Sequence, residues 1–269
     1  MIPLARRVLA EFLGTALLVS VVVGSGIMAQ TLSPHDVGLQ LLENSTATVF
    51  GLAVLIVTLG PVSGAHFNPV VSAADWWQGR QTGTGLSAGD LGAYAAAQIL
   101  GAIGGSILAN AMFDKPAITW ATTGRSAAHL WLGEAVATAG LVLVIFCLTR
   151  SGRTALAPAA VAGYIGAAYW FTSSTSFANP AVTVGRVFSD TFAGIAVASV
   201  PGFVLAQLAG GVIGLLLVHG LFGRPAARPP SRRNRSSHTP AIADPSPPGH
   251  PAGASSHELD NRRKGSTRE

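Results

Sequence analysis

Long apolar runs separated by short polar breaks dominate the first 222 positions. No Asp, Glu, Lys, Arg or His occurs between Glu11 and His35, from Leu91 to Phe113, from Ala135 to Thr149, or from Thr191 to Val218. A helix rises ~1.5 Å per residue, so roughly 20 apolar residues cover the ~30 Å hydrocarbon core of a bilayer. The runs with their flanks predict six membrane-spanning helices, at about 5–29, 42–61, 90–112, 128–149, 155–173 and 195–222. Met1 to Arg7 followed by an apolar stretch has the outline of a secretory signal. It lacks a small-residue cleavage site and matches a later run, so it reads as the first span.

The spans form two copies of one plan. Glu11-Phe-Leu-Gly-Thr15 opens the first span and Glu134-Ala-Val-Ala-Thr138 lies in the fourth, with Glu and Thr one helical turn apart in both. Gln98-Ile-Leu-Gly-Ala-Ile-Gly-Gly105 in the third span pairs with Gln207-Leu-Ala-Gly-Gly-Val-Ile-Gly214 in the sixth. Between the second and third spans lies His66-Phe-Asn-Pro-Val70, and between the fifth and sixth Phe177-Ala-Asn-Pro-Ala181. Three spans per copy is an odd number, so the second copy enters the membrane upside down. Arg6, Arg7, Arg80, Arg150, Arg153 and the basic tail fall on one side, and Lys115 and Arg125 on the other. The basic side is expected to be cytoplasmic, which puts both termini there, in a plasma or inner membrane.

Composition sharpens this picture in two places. The chain is 49% hydrophobic, only 11% charged, and carries 32 glycines, a profile of closely packed membrane helices. Its net charge of +5 would suggest a nucleic-acid partner, but residues 1–223 hold eight basic and eight acidic residues, and residues 224–269 account for the whole excess. The latter segment also holds eight of the 16 prolines and few large apolar residues. It is expected to be a disordered cytoplasmic tail behind a channel-forming domain at 1–223, whose halves run about 5–112 and 128–222. The single cysteine, Cys147, cannot form an intramolecular disulfide and reads as a small core hydrophobe.

Two of the six asparagines precede proline, and they occupy the same place in each half, in segments too apolar for ordinary loops. Asn is a favoured N-cap and Pro a favoured first helical residue. Asn68-Pro69 and Asn179-Pro180 therefore predict short helices at about 69–79 and 180–190, each half a bilayer long. Two such half-helices, entering from opposite faces, meet N-terminus to N-terminus at the midplane. Irregular backbone is tolerated there only when buried in protein or lining a watery cavity. The architecture expected is an all-α membrane protein with six transmembrane helices plus two re-entrant half-helices in an inverted repeat.

Ser63-Gly-Ala-His-Phe-Asn-Pro-Val70 and Asn179-Pro-Ala181 resemble the paired signature of the major intrinsic proteins, the aquaporins and aquaglyceroporins. With Glu11, Glu134, Gln98 and Gln207 the resemblance covers roughly residues 5–222. It implies a homotetramer with one pore per subunit, passing small uncharged solutes through the lipid bilayer. Each half-helix N-terminus brings roughly half a positive charge to the midplane, which repels protons and other cations. The Asn68 and Asn179 amides would donate to a passing solute oxygen, with Pro69, Val70, Pro180 and Ala181 completing the midplane. Carbonyls of 63–67 and 174–178 would accept. By the resemblance, Glu11 and Glu134 hold those loop segments in place. Val70 replaces the alanine usual in the first motif, a conservative change expected to affect packing alone.

The departures bear on selectivity. Most members of the family have arginine directly after the second Asn-Pro-Ala, where it narrows and charges an outer constriction. Here the residue is Val182. The resemblance places Ser176 in the same filter. The partner on the second span is Thr48 by a gapless count from Asn68, or Phe50 if the loop is two residues short. That on the fifth is Ala167 counting back from Asn179, or Tyr169 counting forward from Pro158. Thr48 and Ala167 need no gap beside the motifs, and with them the filter would be wide and uncharged. Arg186, four residues beyond Val182, would reach an outer vestibule roughly 6 Å further out, unless it serves only the helix C-terminus. The run from Ser176 to Gly194 also resembles a bacterial subgroup linked with arsenic resistance, which implies permeation by neutral species such as arsenous acid.

Other function classes fit less well. A proton-coupled transporter would need a titratable group in the path, and Glu11 and Glu134 are accounted for as loop supports. An enzyme would need a nucleophile with a base, or a cluster of metal ligands, and the histidines are scattered. No catalysis, cofactor, metal or nucleic-acid partner is expected. A strict water channel is disfavoured by Val182.

Overall fold

A computed structural model describes residues 2–224. The expected tail at 224–269 lies outside the described residues except for Arg224. The described residues form eight α-helices: α1 (Leu4–Leu32), α2 (Val37–Ser63), α3 (Pro69–Thr82), α4 (Ala88–Met112), α5 (Ala128–Arg150), α6 (Ala157–Phe171), α7 (Pro180–Gly185) and α8 (Val200–Phe222). Three 3-10 turns, Thr154–Leu156, Arg186–Phe188 and Val197–Ser199, flank α6, α7 and α8. Among the described residues five helices are long and apolar enough to cross a membrane, the last counted from Val197. The sixth, α6, has 15 residues and reaches its span only with the turn before it.

The two copies seen in the sequence pair their helices in the same way. In the first, α1 crosses α4; in the second, α5 crosses α8, and α2 lies against α6 between them. Glycine makes both crossings possible. A Cβ on Gly101 or Gly105 of α4 would run into the Phe12 and Ala16 carbonyls of α1. A Cβ on Gly210 or Gly214 of α8 would meet the Ala135 and Ala139 carbonyls of α5. At this approach helices gain van der Waals contact and cross-helix bonds that lipid cannot supply. The Ser20 hydroxyl donates 3.0 Å to the Gly105 carbonyl in this way.

Polarity is inverted relative to a water-soluble fold. Leu13, Leu17, Leu100, Leu132, Leu205 and Leu216 are exposed. Glu11, Thr15, Gln98, Ser106, Glu134, Thr138 and Gln207 are fully buried. Helix ends follow local chemistry. Asp36 caps α2 by accepting from the Leu39 N–H at 2.9 Å, and Ser87 caps α4 through the Asp90 N–H at 3.0 Å. Cys147 is partly buried beside the cluster of Val70, Ala74, Val142, Phe146 and Val218. The second half-helix is shorter than expected: α7 stops at Gly185 and tightens into the 3-10 turn, whereas α3 runs on to Thr82.

Candidate functional site

Both Asn-Pro pairs act as helix caps. The Asn68 Oδ1 accepts from the Val70 N–H at 2.9 Å. The Asn179 Oδ1 accepts from Ala181 at 2.9 Å and Val182 at 3.3 Å. Pro69 and Pro180 take the first helical position. The two amides then bind across the repeat. Asn68 Nδ2 donates to the Ala178 carbonyl at 2.8 Å, and Asn179 Nδ2 donates to the Phe67 carbonyl at 2.7 Å. Each NH2 has two hydrogens, so each keeps one donor after this interlock. Val70 packs against Gly211, where a Cβ would strike its side chain, and Ala181 is fully buried.

The segments before the caps adopt backbone that their residues do not favour. Ala65 and Phe67 in the first half, and Thr175, Ser176 and Ala178 in the second, have φ between 48° and 61°. Non-glycine residues hold such angles only where the surroundings enforce them. Here the enforcing groups are two buried carboxylates. Glu11 Oε1 accepts from Ser63 Oγ at 2.6 Å and the His66 N–H at 3.0 Å. Its Oε2 accepts from the Phe67 N–H at 2.7 Å and Gln98 Nε2 at 2.7 Å. Glu134 repeats the scheme with the Phe177 N–H at 2.9 Å, the Ala178 N–H at 2.8 Å and Gln207 Nε2 at 2.6 Å. Gln98 also reaches Ser72 Oγ at 3.0 Å, and Gln207 reaches Thr183 Oγ1 at 2.9 Å. Ser72 and Thr183 were not singled out from the sequence. Their equal spacing from the two asparagines was the available signal.

One cavity of about 700 Å³ passes both caps. Thr149, Thr154 and Asp75 line one end, and Thr48, Tyr169, Ser176, Val182 and Arg186 line the other. The Thr48 hydroxyl lies 3.2 Å from the Tyr169 hydroxyl. Ser176 Oγ is buried without a hydrogen-bond partner among the described residues. His66 borders the cavity, with Nδ1 3.1 Å from Ser72 Oγ.

One expected filter residue is misplaced. Ala167 is exposed on the outside of α6, and Tyr169 faces the cavity. Two residues turn a helix by about 200°, so only one of the pair can face inward. The count back from Asn179 carries two residues too many, because the strained segment 172–178 is tighter than that count assumes. On α2, Thr48 is buried and Phe50 is 69% exposed. Arg186 borders the same cavity as a buried side chain. It is 3% exposed, its Nε donates to the Ala193 carbonyl, and its guanidinium carbon is 3.4 Å from the centre of the Phe177 ring. Arg125, in the loop before α5, approaches the same ring at 5.1 Å. Burial pushes the Arg125 guanidinium below its ordinary pKa, partly offset by the charge of Glu134.

The family model described as "Major intrinsic protein" matches residues 1–178. The chain is 49% identical over 227 residues to "Aquaglyceroporin AqpS" of Rhizobium meliloti (strain 1021), covering 84% of this chain and 94% of that protein. It is 32% identical over 242 residues to "Aquaporin Z" of Brucella melitensis, covering 81% and 99%. Among solved structures it resembles the X-ray structure of the aquaglyceroporin from Plasmodium falciparum, with a TM-score of 0.57. That match covers 81% of this chain and 95% of the other at 21% identity, a likeness that speaks to the fold alone.

Proposed function

The chain belongs to the major intrinsic protein family, and on that premise we propose how its pore selects solutes, which among them it serves, and how it sits in the membrane. It is a multi-pass membrane protein and a passive channel for water and small uncharged solutes such as glycerol. The observation that carries the proposed selectivity is the interlock of the two asparagine caps. Each amide spends one N–H on the opposite loop and keeps one for a solute oxygen. A neutral polar solute recovers there the hydrogen bonds it left in bulk water. A cation meets two donors and two half-helix N-termini, and loses its hydration without recompense. A water held by both donors cannot relay a proton along the file. The Ser176 hydroxyl offers one further bond.

Glycerol-sized polyols and neutral metalloid hydroxides such as arsenous acid fit a wall in which Val182 stands at the outer end. AqpS of Rhizobium meliloti is named an aquaglyceroporin, in keeping with that reading. A strict water channel gains some ground from Tyr169, which fills space that Ala167 would have left open. Glycerol and water fluxes from the same proteoliposomes separate the two. Glycerol efflux that persists after the pH gradient is collapsed supports a passive glycerol path. Flux abolished by that collapse overturns it in favour of proton coupling, and water flux without glycerol flux leaves the strict water channel. We further propose a homotetramer in a plasma or inner membrane with both termini cytoplasmic, on the arginine distribution and the apolar outer faces of α1, α2 and α4. Residues 1–223 carry the conduction, and removal of 224–269 should leave the fluxes unchanged.

A further inference from the structure

We infer that Arg186 carries the positive charge of the outer constriction, in place of a residue directly after the second Asn-Pro-Ala. The inference rests on the channel reading above and goes beyond it by naming the group that rejects cations at the outer end.

Arg186 is 3% exposed, yet it borders the cavity alongside Thr48, Tyr169 and Val182. A buried guanidinium normally requires a carboxylate, since an unpaired buried ion is strongly unfavourable. None is within salt-bridge distance: among the described residues the one ion pair is Arg7 with Asp90. Its support is of another kind. The Nε is tied to the Ala193 carbonyl, and the guanidinium lies on the face of Phe177, whose ring quadrupole favours a cation. Phe177 is itself fixed by its N–H to Glu134 and by edge-on packing against Phe203. Arg125 approaches the same ring and donates its Nε to the neighbouring Gly194 carbonyl at 3.1 Å, adding a second positive charge behind the first. The terminal nitrogens of Arg186 make no hydrogen bond within the protein among the described residues. A solute in the cavity is the remaining acceptor.

The Arg186 N–H still bonds the Val182 carbonyl, so Arg186 lies one helical turn beyond Val182 on the same face, and both border the cavity. The resulting site takes oxygen-rich neutral solutes, to which a guanidinium offers several donors in a plane, and rejects cations by charge.

Full-length protein in liposomes tests this, with glycerol and water as neutral probes and methylammonium as the cation. The parent should pass glycerol and water and hold methylammonium at the rate of protein-free liposomes. Arg186→Gln, which keeps a donor and loses the charge, should admit methylammonium at least tenfold faster than the parent, relative to its own glycerol flux. Arg186→Lys should exclude it as the parent does. A folded, glycerol-conducting Arg186→Gln that still excludes methylammonium overturns the inference and leaves the channel reading intact. A parent that passes neither neutral probe overturns the channel reading, and the inference with it. Should Arg186→Gln fail to fold, Arg186→Met, which keeps the length and loses the charge, decides. A folded Arg186→Met that admits methylammonium at least tenfold faster than the parent, relative to its own glycerol flux, supports the inference, and one that excludes it as the parent does overturns it.

Discussion

Replacing Glu11 or Glu134 by glutamine should destabilise the protein by the same amount, although the first accepts four hydrogen bonds and the second three. Glutamine turns one carboxylate oxygen into an NH2 group, which repels whatever donors faced that oxygen. Side-chain donors can adapt to this. The Ser63 hydroxyl can rotate and accept. The Gln98 and Gln207 amides can flip to offer their Oε1 atoms, neither of which has a partner among the described residues. Backbone N–H groups cannot turn. In the first half each oxygen faces one of them, His66 on Oε1 and Phe67 on Oε2. In the second half they are Phe177 and Ala178. Either glutamine therefore strands a single buried N–H, at about 1–3 kcal/mol. Alanine strands two in either half, about 2–6 kcal/mol before the penalty of the cavity it leaves.

The assay is SDS-induced unfolding from detergent micelles, read by helical circular dichroism, with glycerol efflux as the check that the loops are set. Both glutamine variants should unfold at similar SDS fractions, clearly below the parent, with the alanine variants lower still. A Glu11→Gln cost exceeding that of Glu134→Gln by more than about 1.5 kcal/mol, the size of one full charge-assisted bond, would refute the claim that the Ser63 bond is replaceable. Glutamine variants as stable as the parent would remove the loop-support role altogether.

Three further outcomes follow from the same geometry. Val182→Arg should cut glycerol flux at least tenfold and water flux much less, because a second guanidinium then projects into the cavity beside Arg186, whereas Val182→Leu, which adds bulk without charge, should restrict less; stopped-flow light scattering reads both fluxes. Tyr169→Ala should raise glycerol flux relative to water, and Ala167→Leu should change neither, since Ala167 faces outward; equal effects of the two would place the wall of the pore elsewhere on α6. Gly105→Leu should push α4 off α1, at the upper end of the about 1–3 kcal/mol typical of overpacking, and Gly104→Leu, which meets open space, should be tolerated; SDS unfolding of the two variants gives the comparison.

What could be read in advance divides along a physical line. The spans, the repeat and the two caps rest on local chemistry. An apolar run must be long enough for the bilayer, and an Asn followed by Pro states its role within three residues. Tyr169 and Arg186 rest on something else. In α6 the residues on both faces are apolar, so periodicity cannot tell Ala167 from Tyr169, and only the length of the next segment can. That segment holds Thr175, Ser176 and Ala178 at positive φ, and no residue type there announces it. The backbone is bent by Glu134, more than 40 positions earlier in the chain. Likewise the half-helix expected to reach residue 190 ends at Gly185, and Arg186 just beyond it lies on the face of Phe177. Phe177 is held in turn by Glu134. One buried carboxylate thus sets the second loop and, through it, the ring on which Arg186 rests, and it does so against local preference. Conflict between local preference and the adopted backbone is expected at functional sites, where other interactions offset the strain. Two expectations that missed, the face of α6 and the length of the second half-helix, both lie beside such a conflict.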